Sequence, residues 1–213
     1  MNIRQHLGIF TKTPILGRCK TRLIPLLGAE AATAAHCELV QRALSEVSVA
    51  TNIQASLWVT EIESQTQQWA ESWQLSLALQ EGADLGERMF NCLDHLCSAA
   101  GQGAMLMGTD CPDVDARYIN AAGQSLRDYD LVLGPAEDGG YGLIGMRQAH
   151  KALFQAIDWG TDAVAEQTLV AASKLELSVF EMPKIWDVDR PEDWQRYLLL
   201  KAQEAEETAI KRS

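Results

Sequence analysis

The chain has 213 residues, 47% of them hydrophobic, and a formal net charge of −11. That length supports one substantial core in a single domain. The acidic excess argues against general nucleic-acid binding, which needs a broad basic face to displace counterions, and against anionic membrane surfaces.

No apolar run approaches the roughly 18 residues of a membrane span. Leu7–Phe10 is too short for the apolar core of a signal peptide. The five cysteines (Cys19, Cys37, Cys92, Cys97, Cys111) are odd in number and lack zinc-ligand spacing, and the four histidines form no cluster. These features predict a soluble, cytoplasmic globular protein with reduced thiols.

Leu7–Thr11 reads as a first, central strand. It runs into Lys12-Thr13-Pro14-Ile15-Leu16-Gly17-Arg18-Cys19-Lys20-Thr21-Arg22, a loop with four cations in eleven residues. Residues 1–29 contain Arg4, Lys12, Arg18, Lys20 and Arg22 and no acid, so they carry +5 against −16 for the rest. A helix is expected over Gly28–Val47, with Leu39, Ala43, Leu44 and Val47 on one stripe. A strand follows at Ala55–Thr60, then a short helix capped by Ser64 that sets Trp69 and Trp73 on one face.

Leu75–Gln80 is a third strand, and Gly82–Arg88 turns into a helix reaching Leu96. Ala104–Gly108 is an apolar strand ending at Thr109-Asp110-Cys111-Pro112, followed by a helix over Ala116–Arg127. Strands at Leu131–Leu133 and Tyr141–Met146 flank Gly134-Pro135-Ala136-Glu137-Asp138-Gly139-Gly140. A helix over Thr161–Ala172, a strand at Leu177–Phe180 and a polar junction at Trp186–Asp193 lead to a final helix. Alternating helices and continuous apolar strands predict one α/β domain over residues 1–200, a mainly parallel sheet with helices on both faces, plus a charged helical tail over 201–213. In such sheets ligands bind beyond the carboxyl ends of the strands, where the Lys12 loop and Asp110 belong.

The loop suits a small polyanion. Lys12, Arg18, Lys20 and Arg22 can neutralise phosphates, and Pro14 and Gly17 break regular structure so that backbone N–H groups can approach a ligand. It is neither a Walker motif nor a dinucleotide fingerprint. Asp110, beyond an apolar strand, is placed to hold Mg²⁺ or Mn²⁺ against phosphate oxygens. Asp113 and Asp115 read better as caps for the helix that follows.

Asp187 and Asp189, two apart in an extended stretch, can point the same way and reach one metal. The same stretch also reads as a helix start, with Pro191 in its first turn. Asp138-Gly139-Gly140 is either a plain turn or a close approach to ligand with Asp138 facing the crevice. Packing for Trp159 and capping by Thr161 are their simplest roles, with the lining of an acceptor pocket as the alternative.

Four blocks, TKTPILGRCKTRL, GADLGERM, MGTDCPDVD with LVLGPAEDGGYGLIGM, and WDVDRPEDW, occur in order across residues 9–194. With them the chain resembles the nucleotide-diphospho-sugar transferase superfamily of GT-A (Rossmann-like) fold. More closely, it is similar to a bacterial family of GT-A glycosyltransferases of undetermined substrate. It is similar at a greater distance to guanylyltransferases of cofactor synthesis. The resemblance implies that the Lys12–Arg22 loop, including Gly17, holds nucleotide phosphates. Asp110 would bind a metal with Asp187 and Asp189 opposite, and Gln80 and Gly86 would meet the base. Gly142 departs from the bulkier residue expected after Gly-Gly-Tyr, on the acceptor side.

Two chemistries follow. A glycosyltransferase would hold a nucleotide-sugar, with the metal stabilising the departing diphosphate and Asp138 activating a small-molecule acceptor. A nucleotidyltransferase would join an NTP to a phospho-acid and expel pyrophosphate, with Lys20 and Arg22 neutralising the developing charge. Four cations suit a triphosphate better, whereas the family resemblance implies glycosyl transfer. A non-catalytic nucleotide-binding module is the third reading.

Overall fold

The computed structural model describes residues 5–100 and 103–212. Arg4 of the basic N-terminal stretch and Ser213 of the charged tail lie outside the described residues. Seven strands form one sheet: β1 (Gln5–Thr11), β2 (Ile53–Val59), β3 (Ser76–Leu79), β4 (Ala104–Gly108), β5 (Leu131–Pro135), β6 (Tyr141–Met146) and β7 (Val179–Glu181). Their spatial order is β3-β2-β1-β4-β6-β5-β7. All neighbours pair in parallel except β6, which runs antiparallel to both β4 and β5.

The reversal follows from the short connection 136–140, since a parallel crossover needs a dozen residues or more. Ala136 N–H donates to Gly140 O at 2.9 Å and Gly139 N–H to Ala136 O at 3.1 Å, closing a hairpin at the carboxyl edge of the sheet. The expected α/β sheet with helices on both faces is present.

Seven α-helices accompany it among the described residues: α1 (Ile24–Leu27), α2 (Ala29–Val49), α3 (Ser64–Trp73), α4 (Leu85–Ala100), α5 (Ala116–Ser125), α6 (Val164–Lys174) and α7 (Pro191–Arg212). Strand alternation assigns side chains to faces. Leu7, Ile9, Met105 and Met107 pack with Val40 and Leu44 of α2 and Ile119 of α5. Leu106, Leu133 and Ile144 pack on the other face with Leu93 and Leu96 of α4 and Ala172 of α6. A smaller cluster joins Leu23, Ala35 and Leu39 to Trp186, Val188 and Tyr197, seating α7 against α2.

Three cap assignments differ from expectation. Glu63, not Ser64, caps α3, because its carboxylate and the Thr66 hydroxyl form a reciprocal box that starts the helix at Ser64. Asp115 caps α5 by accepting from Tyr118 N–H at 2.8 Å, whereas Asp113 turns away and accepts weakly from Trp186 N–H at 3.4 Å. Thr161 does not cap α6, whose N-cap is Ala163. Instead its hydroxyl donates to Asp158 O at 2.8 Å and accepts from Ala163 N–H at 3.3 Å.

Helix α7 continues without a break through residue 201. Glu204 takes both terminal nitrogens of Arg42, at 2.8 and 2.6 Å, while Arg42 Nε donates to Pro112 O at 2.7 Å. Arg42 thereby ties the end of the chain to the Asp110–Pro112 turn. No helix among the described residues is long and apolar enough to cross a membrane. Because the Arg42–Glu204 pair is bidentate yet half open to solvent, Glu204→Ala is expected to lower unfolding free energy by about 1 kcal/mol in urea denaturation, with helical content unchanged.

Candidate active site

A cleft of about 570 Å³ opens beyond the carboxyl ends of the central strands. The end of β1 delivers Thr11 and Lys12, β4 delivers Asp110, the β5–β6 hairpin delivers Asp138, and the segment before α7 delivers Asp187 and Asp189. The basic loop is fixed at its root by Thr13. Thr13 N–H donates to Thr60 Oγ1 at 3.0 Å, and its hydroxyl donates to Glu61 O at 2.6 Å while accepting from Glu61 N–H at 2.9 Å. At the far side Arg18 N–H donates to Ile15 O at 2.9 Å around Gly17, whose φ of 76° favours glycine.

Lys20 is the pivot of the loop. Its backbone is left-handed (φ 47°), and its side chain is only 5% exposed. Nζ lies 2.7 Å from Asp110 Oδ1 and donates to Val188 O at 2.5 Å. Val188 N–H in turn donates to Asp110 O at 2.9 Å, so three chain segments close around one ammonium group. Asp110 Oδ1 is buried, yet the side chain as a whole is half exposed, which leaves the rest of the carboxylate facing the cleft. Burial alone would raise the Asp110 carboxyl; the charge and hydrogen bond of Lys20, with His36 and Lys12 behind them, outweigh it and hold the pKa below the ordinary value.

The remaining loop cations divide. Arg22 pairs with Asp189, and Arg18 lies 3.4 Å from Glu61, both at exposed positions. Lys12 is exposed and enters no ion pair among the described residues. Its carbonyl accepts from His36 Nε2 at 2.8 Å. His36 is buried on α2 and completes a chain through Thr11 Oγ1 (3.5 Å) to Thr109 Oγ1, which donates to Thr11 Oγ1 at 3.2 Å. Burial lowers the His36 pKa and favours the neutral ring. Sequence reading passed over His36 because its partners are backbone and hydroxyl groups distant in the chain.

Asp187 is pushed up to about 6, first by burial and then by the neighbouring charges of Asp138, Asp189 and Asp110. Asp193, in the first turn of α7, reaches back to accept from Asp189 N–H at 3.1 Å and Arg190 N–H at 2.7 Å, so the start of the helix does not engage the Asp189 side chain. The Asp189 carboxylate is thereby left to Arg22. Among the described residues no three His, Cys, Asp or Glu side chains form a ready-made metal cluster. Asp138 is exposed, and its Oδ1 accepts from Gly140 N–H at 2.9 Å. Arg196 of α7 grips the adjacent Glu137 at 2.7 and 3.1 Å, steadying that hairpin.

Gln80 lines the cleft, but its Nε2 donates to Thr11 O at 3.0 Å and Trp58 O at 2.9 Å, which binds the ends of β1 and β2 together. Gly86 is a packing glycine: a Cβ there would come within 2.8 Å of Trp159 Cζ2, Trp159 Nε1 and Phe154 O. Gly142 is small for a similar reason, since a Cβ would approach Cys111 Sγ and Ile185 Cδ1 to 2.6 Å. Core atoms occupy the volume that a larger side chain would need there. Trp159 is partly buried and meets Tyr141 edge-on at 6.3 Å. Arg88, which sequence reading did not single out, also lines the cleft and donates from Nε to Gly82 O at 3.1 Å.

Lys20→Met leaves Asp110 Oδ1 and the Val188 carbonyl without their cation, so a loss of about 1–3 kcal/mol in stability is expected. The folded Asp110 pKa lies below its unfolded value, so the pair stabilises fully above the ordinary carboxylate pKa of about 3.9 and is lost as pH falls through the lowered folded value. The Tm gap between wild type and Lys20→Met is therefore expected to be widest near neutrality and to narrow below about pH 4. A gap independent of pH would mean that the carboxylate gains nothing from Lys20.

Comparison with known proteins agrees with this architecture. The model of the family described as "uncharacterized protein conserved in bacteria (DUF2064)" matches residues 43–161, more than half of the chain. No curated protein matches in sequence. Among solved structures, a proposed nucleotide-diphospho-sugar transferase from Desulfovibrio desulfuricans G20 is 30% identical with a TM-score of 0.81, covering 87% of this chain and 82% of its own. CMP:2-keto-3-deoxy-manno-octonic acid synthetase complexed with CTP is 12% identical with a TM-score of 0.61, covering 94% and 99%. The 4-diphosphocytidyl-2C-methyl-D-erythritol synthase from Anaerococcus prevotii is 10% identical with a TM-score of 0.60, covering 90% and 94%. The last two share the fold with this chain. Sheet order, cleft position and sequence match agree: the chain has a nucleotide-diphospho-sugar transferase-like fold and belongs to the DUF2064 family.

Proposed function

We propose that the cleft binds a nucleotide-sugar through its diphosphate together with a divalent cation, and transfers the glycosyl group to a small-molecule acceptor. The observation that carries this reading is the pairing of the loop. Arg18, Lys20 and Arg22 each face a carboxylate, so the cation immediately available to phosphate is Lys12. The four-cation count that favoured a triphosphate is thereby much reduced, and the remaining charge suits a diphosphate assisted by a metal. The transferase from Desulfovibrio desulfuricans supports the same class.

The donor set suits Mg²⁺ or Mn²⁺, which take one or two carboxylates and complete their shell with phosphate oxygens and water. Asp110, held ionised by Lys20, and Asp187, raised by burial and uncompensated carboxylates, would hold it, with Asp189 joining when Arg22 turns to phosphate. When bound, the ion supplies Lewis-acid stabilisation of the departing diphosphate. Lys12 binds the phosphate oxygens from the β1 side, with its backbone set by His36. Arg22 and Arg18 sit in exposed pairs, and a phosphate oxygen would reach them only by displacing Asp189 or Glu61. Asp138 keeps Oδ1 on Gly140 N–H and offers Oδ2 to the acceptor hydroxyl, taking its proton as the acceptor oxygen bonds to the anomeric carbon and the bond to diphosphate breaks.

Nucleotidyl transfer is the second reading, favoured by the same fold in a synthetase complexed with CTP. There the acceptor attacks the α-phosphorus and pyrophosphate leaves.

Product analysis separates the readings. With nucleotide-sugars, Mg²⁺ and an acceptor panel, release of nucleoside diphosphate is expected, whereas pyrophosphate release from NTPs alone would establish the second reading. Binding with no turnover of either kind would leave a nucleotide-binding module. In calorimetry, Asp110→Asn is expected to weaken Mg²⁺-dependent nucleotide binding at least about tenfold. Lys12→Ala should cost roughly ten- to hundredfold in nucleotide affinity through a lost charge-assisted bond. Unchanged metal dependence in Asp110→Asn would remove Asp110 from the site.

A further inference from the structure

The cleft has two poles separated by the sheet. Lys20, Asp187 and Asp189 lie toward the α2–α7 side, next to the cluster of Leu23, Val188 and Tyr197. Arg88, Met89 and Trp159 lie on the α4–α6 side, where Met89 and Trp159 belong to the second core. This second pole contains a cation that no carboxylate engages: Arg88 forms no ion pair among the described residues. Its Nε is spent on Gly82 O, which fixes the plane of the guanidinium and leaves the terminal N–H groups for another partner. The side chain is half-buried, with its terminal nitrogens not hydrogen-bonded to protein among the described residues. Trp159 lines the same cleft together with Leu85 and Met89; its ring abuts Gly86, where a Cβ would come within 2.8 Å, and meets Tyr141 edge-on at 6.3 Å.

Resting on the reading of the first pole as a phosphate site, we infer that this second pole takes the nucleobase and that Arg88 selects it. The base is the part of a nucleotide farthest from its terminal phosphates, and a planar ring fits an apolar wall with one polar fork. An arginine fork makes two parallel N–H···acceptor bonds, so it needs two adjacent acceptors on the ring. Guanine offers O6 and N7. Cytosine offers O2 and N3. Uracil places an N–H between its carbonyls, and adenine sets its amino group beside each ring nitrogen that it borders. Arg88 therefore favours guanine or cytosine nucleotides over uracil and adenine nucleotides.

The test is calorimetric titration of wild type and Arg88→Lys with GDP, CDP, UDP and ADP, each with Mg²⁺, and with Mg²⁺-pyrophosphate as a base-free probe. GDP or CDP is expected to bind wild type roughly 5- to 150-fold more tightly than UDP and ADP, and which of the two leads identifies the base. Arg88→Lys keeps the charge but loses the fork. It should bring the four nucleotides within about twofold of one another and leave pyrophosphate affinity unchanged. Arg88→Gln is a second variant with the same expected loss of preference.

Equal binding of all four nucleotides by wild type overturns the base pole alone, as does a preference for UDP or ADP. So does a preference that survives both substitutions. If the substitutions weaken pyrophosphate as much as nucleotides, Arg88 is a phosphate ligand and the inference fails. Failure of wild type to bind Mg²⁺-pyrophosphate sinks the phosphate reading itself, and the base pole with it.

Discussion

The site depends on one buried ammonium group. Lys20 Nζ holds the Asp110 carboxylate and the Val188 carbonyl at once, while Val188 N–H returns to Asp110 O. A left-handed backbone at a non-glycine residue costs about 1 kcal/mol, and here that conformation carries the side chain into the gap between β4 and the segment before α7. The ammonium is shielded from water and requires a negative partner; Asp110 needs a cation to stay ionised despite burial. Lys20 keeps Asp110 ionised, and together they set the spacing of the basic loop, Asp110 and Asp187.

That arrangement changes how the charge of the chain is understood. Along the sequence, the N-terminal stretch is a positive island in an acidic protein. In space the island is largely discharged: Lys20 against Asp110, Arg22 against Asp189 and Arg18 against Glu61. Acidic side chains from distant segments have come to the cations. What remains open is selective, Lys12 at one pole and Arg88 at the other. Two such cations at opposite poles suit an elongated ligand with acceptors at both ends better than a diffuse polyanion.

The strands were legible where apolar runs were continuous: Ala104–Gly108 and Tyr141–Met146 have the bounds that the hydrophobic pattern implies. Direction is not written in such runs, and the reversal of β6, not foreseen in a mainly parallel sheet, has its cue in the length of the five-residue connection before it. Local chemistry was readable at Asp115, whose cap lies three residues away, but not at Asp113, whose partner is Trp186. The loop and the carboxylates were recognisable as residue types. Their pairings were not, because each joins segments far apart in sequence. Gly86 illustrates the same limit from the other side: it resembled a ligand contact, and its smallness is owed to the Trp159 ring. Arg88, two residues on, is the cation of that segment that reaches the cleft.

The clasp also sets the order in which the protein can be completed. Lys20 meets a carbonyl 168 residues later, Arg22 a carboxylate 167 residues later, and Arg42 one 162 residues later. Contacts of such sequence separation close only after most of the chain-ordering entropy has been lost, so they form late. During synthesis, β1 and β2 can pair while the basic loop is still without Asp110 and Val188. Asp110 can meet Lys20 once β4 exists, whereas Val188 comes only with the segment before α7. A chain that stops short of residue 188 therefore lacks the Val188 carbonyl for Lys20 and Asp189 for Arg22. The proposed phosphate site is thus built from segments near both ends of the described residues and is complete only when both are in place.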